Sequence, residues 1–164
     1  MPKGDKIIID PSVWTFEEYV EYIQAVQDGE LETAFLILKP AIVSWPYKVS
    51  LAQDRPDLDP NLPFTALPEI IEAVGATLES FFDRLDPSEV EVDLSKWSME
   101  SFYRFSEAAK DGDVPRIEMY LKQVARPKHE DYDEEARLSF YDGVLMRKAV
   151  EEAQKVLFRR RKTR

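Results

Sequence analysis

Hydrophobic positions recur every three to four residues along much of the chain and predict helices. The clearest stripe runs from Leu67 to Leu85, with Pro68 in its first turn and Pro87 beyond its end. Proline is tolerated in the first turn of a helix, where the N–H groups have no partner within the helix, and Pro87 lies outside the helix. A second stripe covers residues 16–26. The pattern therefore favours an all-α protein.

The stretch 10–39 is repeated at 93–122, a spacing of 83 residues. Nine of the thirty positions are identical without a gap, whereas ordinary composition would give roughly two matches. The identical pairs are Asp10/Asp93, Ser12/Ser95, Trp14/Trp97, Glu17/Glu100, Ala25/Ala108, Asp28/Asp111, Gly29/Gly112, Leu38/Leu121 and Lys39/Lys122. We interpret this similarity as an internal duplication.

Each copy carries the signals of a helical hairpin. Thr15 and Glu18 have the spacing of a capping box, and Ser98 occupies the matching position in the second copy. Gly29 and Gly112 follow the first helix of each copy, where glycine takes the left-handed conformation without a side-chain clash. A second helix begins directly afterwards, so the two helices should be antiparallel neighbours.

A long loop and a third helix complete the predicted unit. Residues 40–68 hold six of the 11 prolines, and residues 70–78 match 149–157 at a spacing of 79. The predicted fold is a six-helix, pseudo-two-fold duplication of a three-helix unit, with repeats at 1–88 and 89–164. The lead-in segments 7–9 and 90–92 are also predicted to pair as short strands, and the fifth helix to run to about Arg126.

Composition and charge restrict the function classes. The absence of cysteine excludes disulfides and thiol nucleophiles and suits the cytoplasm, and the longest early apolar run, residues 7–9, is far shorter than a signal-peptide core. We therefore expect a soluble cytoplasmic protein. The formal charge is -10, and the tail 159–164 contributes five of the 22 basic residues. The remaining body is acidic, which argues against duplex nucleic acid as the main ligand.

No catalytic or metal-binding pattern stands out. His129 lacks the second histidine of a zinc-protease helix and is read as part of a solvated loop. Asp54, Asp57 and Asp59 lie among prolines where a calcium loop needs flexibility, so we read them as an acidic linker. We expect a protein that is not an enzyme and that has no cofactor.

Two groups of residues are candidates for partner contacts. Trp45 and Tyr47 lie beside prolines on a loop and have no equivalents in the second copy, and either partner contact or packing on their own domain would explain them. The basic residues Arg159, Arg160 and Arg161 either complement the helix C-terminus or contact nucleic acid or an acidic partner.

The order of these motifs resembles the small helical tail assembly chaperones of tailed phages and prophages. The resemblance is carried by Trp14–Tyr19, Asp28–Gly29, Ser44–Pro46 and Leu67–Leu78. It implies a cytoplasmic protein that binds the tape-measure protein and delivers it to polymerising tail-tube subunits. Such proteins are often also made as a longer, frameshifted form. A chaperone for a long helical client needs an exposed apolar groove between helices, and the candidate here is the space between the two repeats, rimmed by the Trp45 loop.

Two other functions remain open at this point. A bacterial adaptor or scaffold module would bind a protein partner through the same groove. A nucleic-acid accessory protein would act through the basic tail. Homo-oligomerisation is compatible with all three functions.

Overall fold

The computed structural model describes residues 6–162, with side chains through residue 159. In that range the chain forms six α-helices and two small antiparallel strand pairs. The helices are α1 Phe16–Gln27, α2 Leu31–Leu38, α3 Ala66–Arg84, α4 Met99–Asp111, α5 Val114–Val124 and α6 Phe140–Lys162. The strands are β1 Ile8–Ile9, β2 Ile42–Ser44, β3 Val90–Val92 and β4 Ala125–Pro127. Of the predicted all-α class, the mainly helical character is confirmed.

Both predicted helix caps are present. The Thr15 hydroxyl accepts a hydrogen bond from the Glu18 N–H at 3.1 Å, and the Glu18 carboxylate accepts one from the Thr15 N–H at 3.1 Å. In α4, the Ser98 hydroxyl accepts from the Ser101 N–H at 3.1 Å. These bonds satisfy N–H groups that have no partner within the first helical turn.

The predicted glycine turns are also confirmed. Gly29 has φ +74° and Gly112 has φ +67°, the left-handed conformation in which a β-carbon would be strained. Each glycine ends one helix shortly before the next begins, so α1 pairs with α2 and α4 pairs with α5.

The predicted pairing of the two lead-in segments with each other is wrong. β1 pairs with β2, where Ile9 lies opposite Ile42, and β3 pairs with β4, where Val92 lies opposite Ala125. Each helical hairpin returns the chain beside its own lead-in, and this local partner closes a shorter loop than a distant one. The same pairing ends α5 at Val124, two residues before the predicted end at Arg126.

Tertiary hydrogen bonds recur at the spacing of 83 residues. The Trp14 indole N–H donates to the Ile37 carbonyl at 2.9 Å, and the Trp97 indole N–H donates to the Tyr120 carbonyl at 3.0 Å. Two further pairs of hydrogen bonds have the same spacing. The Asp10 N–H donates to the Ala41 carbonyl, and the Asp93 N–H donates to the Val124 carbonyl. The Lys39 ammonium donates to the Gln53 carbonyl, and the Lys122 ammonium donates to the Ala136 carbonyl.

One hydrophobic core includes residues of both halves. The N-terminal part of α6 lies against α1 and against the end of α3. The Phe140 ring packs on Tyr19 with centroids 5.3 Å apart and on Phe81 with centroids 5.0 Å apart. The Lys148 ammonium donates to the Phe82 carbonyl at 2.6 Å. Residues on both sides of position 88/89 therefore contribute to one core.

Candidate protein-binding surface

Trp45 is one of the two loop aromatic residues that the sequence suggested as partner contacts, and it lies in the core. Its side chain is 3% exposed, and its indole N–H donates to the Val49 carbonyl at 3.0 Å. The ring packs on Phe35 with centroids 6.4 Å apart. Of the two roles left open by the sequence, packing describes Trp45 in this structure. A partner contact at Trp45 stays a prediction.

Tyr47 connects the loop to α3. Its hydroxyl donates to the Glu69 carboxylate, and its ring packs edge-on against Trp45 with centroids 5.4 Å apart. Burial raises the pKa of the Tyr47 hydroxyl above its usual value, and the neighbouring Glu69 raises this pKa further. The phenol is therefore neutral and remains a donor at physiological pH. This contact holds the loop against the first turn of α3.

The basic residues of the tail lie on the last turns of α6. The Arg159 side chain is exposed, whereas the side chains of Arg160 and Arg161 lie outside the described residues. The helix C-terminus favours cations because of the helix dipole. Both explanations given for this cluster by its sequence stay open, and its partner-binding role stays a prediction.

An apolar groove that the sequence analysis missed opens between α2 and α3. We name it the α2–α3 groove. Its apolar lining comes from Leu31, Phe35, Leu58, Leu62, Phe64 and Leu67. Phe64 is 84% exposed and Leu58 is 59% exposed at its rim. Large apolar side chains grouped in one concave surface are typical of a protein-binding site.

Ionic contacts hold the loop that forms the rim of this groove. The Arg55 guanidinium donates to Asp57 at 2.7 Å and lies 3.4 Å from Glu32 of α2. The hydrogen bond from Arg55 lowers the pKa of the Asp57 carboxyl, so the pair is ionised at neutral pH. Asp59 accepts from the Gln53 amide at 2.9 Å and from the Asn61 N–H at 2.9 Å. These carboxylates thus order the loop.

The apolar residues of the groove rim were visible in the loop sequence, but their grouping was not. Leu58, Leu62 and Phe64 are large apolar residues that lie between Pro56 and Pro68 and follow no helical period. Apolar residues in a proline-rich loop without periodicity do not indicate which face they will share. Only the path of the loop, which runs back over α2 and α3, brings them together.

Two charged side chains contribute to the lining of the groove. Its polar side chains are Glu32 and Asp57, and both pair with Arg55. Among residues 6–162, no group of three or more histidine, aspartate or glutamate side chains is placed to hold a metal ion. His129, the chain's one histidine, lies on an exposed loop with its Nε2 2.7 Å from the Asp142 carboxylate. The surface is suited to apolar contact.

No family model, no curated protein and no solved structure matches the chain. Across the described range, no helix combines the length and the apolar character needed to cross a membrane. The resemblance to tail assembly chaperones therefore stays a prediction, and the geometry of the groove is the main guide to function.

Proposed function

We propose that the protein is a non-enzymatic protein-binding protein that holds an apolar segment of its partner in the α2–α3 groove. The observation that carries this proposal is the Phe64 ring, 84% exposed at the rim of a mainly apolar depression. Burying one such side chain contributes about 1.5–3 kcal/mol. A groove of this kind accepts the apolar face of an amphipathic helix, whose side chains at positions i, i+3, i+4 and i+7 form a continuous stripe.

We further propose that the chain arose by duplication of a three-helix unit. The hydrogen bonds that recur at 83 residues support this history, since they join equivalent residues in the two units. Duplication also accounts for the two matching strand pairs. In this interpretation, the second unit supplies α6 to complete the core of the first.

The specific role that we propose is that of a cytoplasmic tail assembly chaperone for a tape-measure protein. Its support is the resemblance of Trp14–Tyr19, Asp28–Gly29, Ser44–Pro46 and Leu67–Leu78 to that family. The α2–α3 groove suits such a client, because a long helical protein offers repeated apolar stripes until it is assembled. The two inferences are separable, since the groove implies protein binding whatever the partner is.

A pull-down tests both inferences. The immobilised protein is incubated with a lysate of its native source, and the bound proteins are identified by mass spectrometry. Phe64→Asp places a charge in the groove at an exposed position, so it should abolish binding without changing thermal stability. Val13→Asp is the matched control, because Val13 is also exposed but lies outside the groove.

Recovery of tape-measure or tail-tube protein by the wild type and by Val13→Asp, with loss in Phe64→Asp, is the expected result. Recovery of unrelated cellular proteins alone would overturn the chaperone role and favour the adaptor function. If Phe64→Asp retained every partner of the wild type, the groove would not be the binding site.

A further inference from the structure

The face of α1 shows how this chain covers an apolar helix surface. Phe16 is completely buried, and its backbone N–H donates to the Leu138 carbonyl at 3.1 Å. Gly143 of α6 lies so close that a β-carbon there would be 2.2 Å from the Phe16 ring. Phe140, three residues earlier, packs on Tyr19. An aromatic residue with glycine three positions later on α6 thus allows close approach of α6 to α1.

An ion pair fixes the entry of α6 onto α1. The Arg137 guanidinium lies 2.7 Å from the Glu17 carboxylate and also donates to Glu118 at 2.6 Å. Arg137 precedes Phe140 by three residues. The covering segment therefore has a recognisable pattern: arginine, aromatic residue and glycine at intervals of three.

The corresponding face of α4 is open. Met99, which lies 83 residues after Phe16, is 72% exposed, and Tyr103, which corresponds to Val20, is 58% exposed. Glu100 corresponds to Glu17 and its side chain is 80% exposed, with Arg104 at 3.9 Å. The equivalent of the α1 face thus presents apolar side chains and a carboxylate to solvent.

A second copy of the chain does not offer the same covering segment. Its own Phe140–Val144 turn is already packed on α1. The corresponding helix of its first half, α3, begins at Ala66, which matches Leu145 at the spacing of 79 residues. The turn that would cover α4 therefore has no helical counterpart in α3. A helix of a partner protein can supply this pattern without displacing α6 from α1.

We propose that the α4 face formed by Met99, Phe102 and Tyr103 binds an amphipathic helix of a partner protein that imitates the start of α6. The helix carries an aromatic residue in its first turn and glycine three positions later. An arginine or lysine three positions before the aromatic residue pairs with Glu100. This inference rests on the proposed protein-binding function, to which it adds a second contact with defined chemistry.

Methionine-methyl NMR of the full chain tests the proposal. The probe is an unlabelled synthetic peptide of residues 136–150, which contains the arginine, aromatic and glycine positions. We expect a saturable shift of the Met99 methyl resonance and no shift of Met146, which is fully buried on α6. A shift of Met146 would mean that the peptide displaces α6 from α1, and would overturn the proposal.

Variants of protein and peptide define the contact. Tyr103→Asp in the protein should weaken binding about tenfold or more, because it places a charge in the apolar face. Gly143→Leu in the peptide should have a similar effect by preventing close approach. Arg137→Ala in the peptide should weaken binding about two- to fivefold, the range of an exposed ion pair. Val13→Asp in the protein is the control that leaves binding unchanged.

The remaining outcomes are also decisive. Absence of a Met99 shift at saturating peptide, or binding that ignores Tyr103→Asp, would overturn the proposal. A Met99 resonance that moves with protein concentration alone would show that a second copy covers this face. Phe64→Asp should leave peptide binding intact, so failure at α4 is distinguishable from failure of the α2–α3 groove.

Discussion

Gly143→Ala is the sharpest test of the way in which α6 packs on α1. A β-carbon at Gly143 would lie 2.2 Å from two ring carbons of Phe16 and 2.6 Å from its Cβ. Phe16 is fully buried, so the ring has no open space into which to move. The substitution therefore forces α6 away from α1.

Two opposing effects set the magnitude. Alanine is favoured over glycine in a helix interior by about 1 kcal/mol. Inserting a methyl group into a filled core costs about 1–3 kcal/mol, and the severity of this overlap places the cost near the upper end of that range. We expect net destabilisation of about 2 kcal/mol, which lowers the melting temperature by about 4–8 °C for a chain of this size.

Gly75→Ala in α3 is the matched control. Gly75 is also a helical glycine, but a β-carbon there would have no neighbour within 4 Å. This variant should gain the helix propensity alone and melt about 2–4 °C higher than the wild type. Thermal unfolding followed by circular dichroism at 222 nm measures both variants. If Gly143→Ala were as stable as the wild type while Gly75→Ala gained stability, the close packing of α6 on α1 would be refuted.

Two further predictions concern buried polar groups. The Glu118 carboxylate, 4% exposed, accepts a hydrogen bond from the Leu138 N–H at 2.9 Å. Glu118→Ala leaves that N–H without its acceptor and should lower the free energy of unfolding, measured in urea, by about 1–3 kcal/mol. An unchanged urea midpoint would contradict this role. Burial raises the pKa of the Tyr22 hydroxyl to about 12, so the unfolded chain loses this proton first. The free energy of unfolding should stay constant up to the ordinary tyrosine pKa of about 10 and fall between there and about pH 12. Urea unfolding across that pH range checks this prediction. Tyr22→Phe is the control and should lose less stability over the same range.

Local features of the fold could be predicted because their causes lie within a few residues. Thr15 and Ser98 cap helices through bonds to residues three positions on, and Gly29 and Gly112 end helices through their own backbone conformation. The helical stripe from Leu67 to Leu85 likewise predicted α3 with its neighbouring prolines. Each of these signals is complete in one short stretch of sequence.

Features that join distant segments could not be predicted in the same way. The pairing of β1 with β2 depends on where the first hairpin returns the chain, and the lead-in sequences alone did not distinguish this partner from the other lead-in. Glu118, which follows Phe35 at the 83-residue spacing, gave no sign that it would be buried, because its partners Arg137 and Leu138 lie about twenty residues away.

The sequence by itself determined the helical hairpins, their caps and the repeated order of elements in this protein. The tertiary structure alone decided that Trp45 is core, that Phe64 lies at the rim of a groove, and that the faces of α1 and α4 differ in burial. The physical reason is that helix formation depends on neighbours along the chain, whereas burial depends on which surfaces the folded chain brings together. A side chain's hydrophobicity is a property of its residue, but the partner that covers it is a property of the fold.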